Sequence, residues 1–204
     1  MALTLLLLMD DRKCFEQVRG MRWPQGVRCT SCDSSNVAKR GFDETQKERQ
    51  RYRCSDCERE FDDLTGTIFA GHHQPLRVWI LCLYFMGLNL SNSQIVKELE
   101  LDPDSAHEMA TLLRNGILAK EPEVILSGEV ECDEVYIVAG HKRNPEAVKK
   151  KMEGFWSLLR SWLRPHRGIS QEMLPLYLAF FQFVHNARKR GKALLNSLVE
   201  RLLT

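Results

Sequence analysis

The chain has 204 residues, of which 44% are hydrophobic and 27% charged, ordinary values for a globular protein of one large or two small domains. This composition argues against a collagen-like, low-complexity or wholly disordered chain. A formal net charge of +2 excludes a uniformly basic surface, so any contact with nucleic acid must come from a local patch. Seven cysteines, an odd number, argue against a complete disulfide framework and predict a reduced, intracellular protein.

The first residues combine an apolar run with an acidic pair. Residues 1–9 resemble the apolar core of a signal peptide, but no basic residue precedes them and they run into Asp10-Asp11 without a small-residue cleavage site. We therefore expect a helix from Leu5 to about Gly20 that caps a domain, within a lead-in of residues 1–28. The other apolar run, 78–90, is shorter than the roughly 20 residues that cross a bilayer, so no membrane association is expected.

Two pairs of cysteines have the spacing of a metal site. Cys29 and Cys32 form one Cys-x2-Cys pair, and Cys54 and Cys57 form the second after 21 intervening residues. Each pair can point two sulfurs at one ion, and four thiolates close a tetrahedral shell that suits Zn²⁺. A closed shell leaves no open position, so the predicted zinc is structural. A redox pair is the alternative, and the paired repetition argues against it.

The segment 29–63 around these cysteines has few aliphatic residues. It cannot bury a conventional core, so a metal is expected to hold it together as a small zinc ribbon with a hairpin between the pairs. Basic residues of this segment can lower thiol pKa values and face phosphates; they are Lys39, Arg40, Lys47, Arg49, Arg51 and Arg53. Of these, we take Arg49, Arg51 and Arg53 as candidate DNA contacts.

The segment 74–120 has the pattern of three short helices. The first is predicted from Gln74-Pro75 to Gly87, with Pro at a tolerated first-turn position. Ser91 and Gln94 form a capping box for a second helix that ends near Leu99. Asp102-Pro103 begins a third helix that ends near Leu118.

Two helices joined by a three-residue turn outline a helix-turn-helix, the second helix of which enters the major groove of DNA. On that hypothesis the candidate contacts of the third helix are Ser105, His107, Thr111 and Arg114. Asp104 and Glu108 argue against it, because carboxylates repel phosphates. The alternative is a helical spacer with no DNA role.

The last part of the chain, 128–204, begins with an alternating stretch typical of a strand at 128–139. Glu129, Glu131 and Asp133 share one strand face, which can bind a divalent metal if another carboxylate reaches it; a solvated surface is the alternative. Helices are predicted over 152–203, with interruptions near 165–168 and at Gly191. A helix capped by Ser170 is apolar nearly all round, so we expect it to dock on the helices of residues 74–119 or to self-associate.

The order of these motifs resembles a known family. WPQGVRC-x2-C, YRC-x2-CEREF, TGTIF, ECDEVYI and EGFWSLLRSWLRPHRGIS are similar to the motifs of insertion-sequence transposases with an N-terminal zinc ribbon, a helix-turn-helix and a DDE catalytic domain of ribonuclease-H-like fold. The resemblance implies that the four cysteines are the ribbon ligands. It also implies that Asp133 and Glu153 are the first and last catalytic carboxylates, which hold Mg²⁺ in an active site.

The resemblance further implies partners and a location. The expected partner is double-stranded DNA at transposon ends, with Arg160 and Arg164 able to hold phosphates after Glu153. A homo-oligomer or association with a full-length transposase is also expected. The implied location is the bacterial cytoplasm, in association with the nucleoid.

One departure from the family decides the expected activity. Asp133 and Glu153 lie 20 positions apart, and no Asp stands between them, whereas the family places most of its sheet and its second catalytic Asp there. The sequence therefore predicts an internally deleted catalytic domain: a mostly helical α+β chain whose part 128–204 is a ribonuclease-H-like remnant of one or two strands plus C-terminal helices.

The expected function is DNA binding by a catalytically defective transposase derivative, without bound Mg²⁺. The alternatives are a functional transposase with a compact metal site, for which Glu131, Glu134 and Glu146 are the available third carboxylates, and a zinc-ribbon interaction module with no DNA role.

Overall fold

The computed structural model describes residues 10–120, 149–166, 168–189 and 193–203. The helices of these residues are α1 (Asp11–Arg22), α2 (Leu76–Gly87), α3 (Asn92–Leu99), α4 (Pro103–Ala119), α5 (Lys149–Leu163), α6 (Leu174–Lys189) and α7 (Leu194–Leu203). The strands are β1 (Val37–Phe42), β2 (Gln50–Cys54) and β3 (Glu60–Asp62). The predicted mixed fold is thereby confirmed in its coarse form, while the predicted strand at 128–139 lies outside the described residues.

The first helix begins later than the sequence pattern indicates. Asp10 has extended backbone angles, and its carboxylate accepts hydrogen bonds from the N–H groups of Arg12 and Lys13 at 3.0 and 3.3 Å. The predicted start at Leu5 is therefore wrong, because this helix begins at Asp11 with Asp10 as its N-cap. Residues 1–9 lie outside the described part of the chain.

The three strands form one antiparallel sheet in the order β1-β2-β3. Val37 pairs with Cys54 and Lys39 with Tyr52, and a bulge then shifts the register so that Phe42 pairs with Gln50. Gly41 lies in this bulge with φ of 79°, a conformation that glycine adopts without strain. The predicted hairpin is confirmed, but β3 was not predicted because three residues are too short for a periodic pattern.

The three predicted helices of segment 74–120 are confirmed as α2, α3 and α4. The Gln94 side chain accepts a hydrogen bond from the Ser91 N–H at 2.9 Å, as expected of a capping box. The Asp102 carboxylate accepts from the N–H groups of Asp104 and Ser105 at 3.0 and 3.2 Å. These ends were predictable because a cap depends on neighbours in sequence.

The C-terminal helices dock on the central ones: α6 packs on α4, and α7 packs on α1, α2 and α4. The close approach of α7 requires small residues, since a Cβ atom on Gly116 would lie 2.8 Å from Leu202 Cδ2. Docking was one of the two arrangements expected for the apolar α6, and the structure confirms it.

Buried side chains form two separate clusters. The larger one joins side chains of the seven helices in the described ranges and of the loop before α2, with Leu83, Leu113 and Leu198 fully buried. The smaller one lies in the sheet region and contains Cys29, Tyr52, Cys54 and Phe61. None of the helices in the described ranges is long and apolar enough to cross a membrane.

Candidate metal centre and the surface around it

The four predicted ligands converge at one end of the sheet. The Sγ atoms of Cys29, Cys32, Cys54 and Cys57 all lie within 4.8 Å of one another. Cys29 and Cys57 are 3.5 Å apart, and Cys32 and Cys54 are 3.6 Å apart, so none of them forms a disulfide. Four sulfurs about 2.3 Å from a central zinc ion lie roughly 3.8 Å from one another, so this arrangement fits a tetrahedral Zn²⁺ site.

Each cysteine pair sits in the same type of backbone loop. The Cys29 N–H donates to the Ser34 carbonyl, and the Cys54 N–H donates to the Arg59 carbonyl, both at 2.9 Å. The residue after each pair has a positive φ, 57° at Asp33 and 60° at Glu58. Both loops therefore turn sharply after the second cysteine, which points the two sulfurs of each pair the same way.

A backbone hydrogen bond favours the thiolate form of Cys29, whereas the pKa values of Cys32 and Cys57 are raised. The Ser31 N–H donates to Cys29 Sγ at 3.4 Å, and this bond lowers the pKa of the Cys29 thiol to about 6. The thiolate is the form that binds metal, so the loop prepares Cys29 as a ligand near neutral pH. Asp56 of the second loop accepts hydrogen bonds from Ser34 and Asn36, which holds the two loops together.

Three aromatic rings support the cysteines. Tyr52 stacks on Phe61 with ring centroids 5.3 Å apart, and Trp23 meets Tyr52 edge-on at 5.8 Å. Cys29 and Cys54 are buried in the same cluster. The sequence predicted that this segment lacks an ordinary core, and the structure shows that the core consists of these rings and the metal-ligating sulfurs.

A buried carboxylate connects the sheet to α1. Asp63 is fully buried and accepts hydrogen bonds from Arg19 Nε and Nη2 at 2.9 and 2.7 Å, from the Gln50 N–H at 2.7 Å and from the Tyr52 hydroxyl at 3.0 Å. Burial, together with the nearby Asp63 charge, raises the pKa of Tyr52. Sequence reasoning missed this network, since partners 44 positions apart leave no local signal.

The three candidate DNA contacts of the ribbon have different surroundings. Arg51 is exposed and Arg53 half-buried; they reach Glu60 and Glu58 at 3.4 and 3.7 Å in largely exposed ion pairs. Arg49 is different, because its guanidinium is mostly covered and contacts Asp43 at 2.6 Å and Asp62 at 3.6 Å. Arg40, also exposed, joins Arg53 in lining a shallow hollow of about 200 Å³.

Of the candidate contacts on α4, only His107 is exposed. Ser105 is half-buried, and the Thr111 hydroxyl is buried without a hydrogen-bond partner among the described residues. Arg114 is 2% exposed and packs against the Tyr177 ring at 3.9 Å. In this fold Arg114 therefore cannot reach a DNA phosphate. It lies on the face of α4 that packs in the core, and its residue type alone did not reveal this.

The remaining predicted residues belong to the C-terminal part. Arg160 is exposed on α5, where its Nε donates to the Trp156 carbonyl at 3.3 Å, and Arg164 is exposed just after that helix. Glu153 lies within α5, but its side chain is outside the described structure, and so is the whole of Asp133. The pairing of these two carboxylates therefore stays a prediction.

Comparison with known proteins agrees with the metal centre. Residues 9–60, which include all four cysteines, match a family described as the transposase zinc-ribbon domain. Over 135 residues the chain is 33% identical to an uncharacterized protein in transposable element ISH50 of Halobacterium salinarum. That match covers 66% of this chain and 44% of the relative, so the chain spans less than half of the relative's length. No solved structure matches. The chain thus contains a zinc ribbon of the transposase type and is related to a protein of an insertion-sequence element.

Proposed function

We propose that the protein is a DNA-binding derivative of an insertion-sequence transposase, which binds duplex DNA at transposon ends and does not cut it. The observation that carries the proposal is the arginine-bearing face of a metal-supported sheet, formed by Arg40, Arg51 and Arg53. The match of the same segment to transposase zinc ribbons, and the relative from a transposable element, support DNA as the partner.

The ion pairs of this face leave its arginines free to exchange partners. Arg51 with Glu60 and Arg53 with Glu58 are exposed pairs, which typically contribute about 0–1 kcal/mol each. A DNA phosphate can replace a carboxylate at that small cost, and the release of counterions from DNA favours the exchange. Arg49 acts differently in this proposal: held by Asp43, it orders the hairpin loop between β1 and β2.

Helix α4 contributes less to DNA binding in this proposal. Its exposed surface includes the carboxylates Asp104 and Glu108, while its one arginine, Arg114, is buried. His107 and the half-buried Ser105 are the contacts that remain on the helix-turn-helix hypothesis. The sheet also carries Glu58 and Glu60, but its arginines are exposed enough to exchange these partners for phosphates, whereas α4 exposes no arginine.

The test compares two double variants of equal charge. Affinity of the zinc-loaded chain for a terminal-repeat duplex is measured by fluorescence anisotropy over a salt series. Arg51→Gln with Arg53→Gln is expected to weaken binding and to reduce the slope of log affinity against log salt by roughly 2, one for each lost phosphate contact. Arg12→Gln with Lys13→Gln, on the exposed part of α1, is the control and should leave the slope unchanged. Binding that does not depend on salt would favour the interaction-module alternative.

The absence of cleavage is proposed from the sequence around the two catalytic candidates. Two metal ions about 4 Å apart need several convergent oxygen ligands. Asp133 and Glu153 supply two carboxylates, and the 19 residues between them contain no Asp, only Glu134 and Glu146. Mg²⁺ chemistry would need one of these, or Glu131, to converge on the same ions.

Incubation with terminal-repeat DNA and Mg²⁺ or Mn²⁺ tests this second part. No cleavage or joining is expected, while binding persists, with Arg160 and Arg164 available as further phosphate contacts. Cleavage that disappears in Asp133→Asn would establish a compact active site and overturn this part of the proposal. A separate experiment mixes the chain with an intact transposase and terminal-repeat DNA. It shows whether the chain occupies the transposon ends or associates with the enzyme.

A further inference from the structure

A polar cleft opens between the start of α3, the N-terminal part of α4 and the turn between α5 and α6. Its volume is about 390 Å³, within the range of small-molecule sites. Among the residues that line it are Ser91, Ser93, His107, His166, Ser170 and Tyr177. Neither the metal centre nor the arginine face of the ribbon accounts for this cleft.

The walls of the cleft offer mainly hydrogen-bond donors. The first N–H groups of a helix lack partners within the helix and carry a partial positive charge, and the start of α3 faces the cleft at Asn92 and Ser93. The Asn92 side-chain amide lies 3.2 Å from His107 Nδ1, and this hydrogen bond holds the imidazole at the cleft. Among the described residues no carboxylate lines the cleft.

A buried positive charge lies directly behind one wall. Arg114 is 2% exposed, its guanidinium lies 3.9 Å over the ring of Tyr177, and its Nε and Nη1 have no hydrogen-bond partner among the described residues. A charge this buried is costly unless an opposite charge is near.

The field of Arg114 extends to a second wall. Burial, and after it the Arg114 charge, lowers the pKa of His166 to about 4. The ring of His166 also meets the Tyr177 ring edge-on at 5.1 Å. Tyr177 and His166 therefore both lie near the Arg114 charge. Among the described residues, no carboxylate forms an ion pair with Arg114.

We propose that this cleft binds a phosphate group. The hydroxyls of Ser93 and Ser170, the N–H groups at the start of α3 and the exposed His107 imidazole would donate to its oxygens. Arg114 is a positioning charge in this site: it attracts the anion across the Tyr177 ring without touching it. The inference goes beyond the proposed function, because its residues are separate from the arginine face of the ribbon.

Titration of the zinc-loaded full chain with inorganic phosphate tests the site. Saturable shifts of the His107 and His166 imidazole NMR signals are expected, with the His72 signal as an internal reference. His107→Ala and Ser93→Ala should weaken phosphate binding several-fold, and Arg114→Met at least tenfold. Lys97→Ala, on the exposed side of α3, should leave it unchanged. If Arg114→Met does not fold, the exposed His107→Ala carries the test.

The source of the phosphate is decided by competition. If a short duplex displaces inorganic phosphate and shifts the same histidine signals, the group is a DNA backbone phosphate. If phosphate binds and the duplex does not compete, the ligand is a free phosphate or nucleotide. No saturable shift at millimolar phosphate, or equal affinity in wild type and His107→Ala, would overturn the inference. Arg51→Gln with Arg53→Gln keeps the two proposals apart, because it should not change phosphate binding to the cleft.

Discussion

The zinc ribbon (residues 29–63) and the helical body (helices α1 to α7) are stabilised in different ways. In the described part of the chain the ribbon has a small buried cluster of four side chains, two of which are cysteines of the candidate metal centre. Among the residues that the structure describes, the helical body buries side chains of α1 to α7 in one continuous apolar cluster. A segment as short as the ribbon buries too little apolar surface to offset its conformational entropy, so it depends on a metal. The helical body buries a far larger set of apolar side chains, so we expect it to fold without a metal.

Zinc removal is expected to have the largest effect, and to separate the two regions. The protein should bind one equivalent of Zn²⁺, and chelation should unfold the ribbon, since structural zinc contributes about 10 kcal/mol or more of folding free energy. Most of the helical circular dichroism should remain. Metal analysis and amide hydrogen exchange measure both outcomes.

The matched variants for this prediction are two buried cysteines. Cys54→Ser should lose the metal, whereas Cys14→Ala, in the helical cluster, should keep one equivalent. A full equivalent of zinc in Cys54→Ser would contradict the ligand assignment.

Asp63→Ala should break the connection between the two regions. It leaves the Arg19 guanidinium and the Tyr52 hydroxyl without their acceptor, and loss of one partner of a buried ion pair costs about 3–5 kcal/mol. Chemical denaturation monitored at both tryptophan fluorescence and helical circular dichroism measures the loss. Glu60→Gln removes a carboxylate from an exposed ion pair with Arg51 and should cost at most about 1 kcal/mol. Equal effects of the two variants would show that the Asp63 network is not a structural connection.

Leu198→Ala should destabilise the helical body alone. Leu198 is fully buried where α7 approaches Gly87, and a leucine-to-alanine change in a core typically costs about 2–5 kcal/mol. Leu158→Ala is the comparison, since Leu158 is 53% exposed and should cost less than about 0.5 kcal/mol. Both variants should retain one equivalent of zinc. Loss of zinc in Leu198→Ala would mean that the ribbon requires the helical body.

The smallest expected effect concerns pH. His166 is neutral in the fold, since its pKa is lowered to about 4 by burial and then by Arg114, against about 6.5 in an unfolded chain. Its contribution to stability is therefore fully present above pH 6.5 and is lost as pH falls towards 4. The difference in unfolding free energy between wild type and His166→Gln should change over that window. A difference that stays constant from pH 6.5 to pH 4 would refute the assignment.

Local features were the ones that could be predicted. The cysteine spacing led directly to the metal centre, because each loop places its two sulfurs by short-range backbone geometry. The caps at Ser91 and Asp102 located α3 and α4 for the same reason. The apolar character of α6 indicated that it must be buried, although it left open whether the partner was this chain or another.

Other features depended on packing between distant segments. Arg114 was predicted as a DNA contact from its type and position, and only the docking of α6 shows that it is buried against Tyr177. The sequence also did not predict the Asp63 network. Nor did it predict that Arg49 contacts Asp43 while Arg51 is exposed. A side chain's charge is a property of its residue, whereas its exposure and its partners are properties of the assembled fold. The sequence by itself thus determined the cluster of four cysteines and the helix caps, and only the tertiary structure decided which charges face solvent.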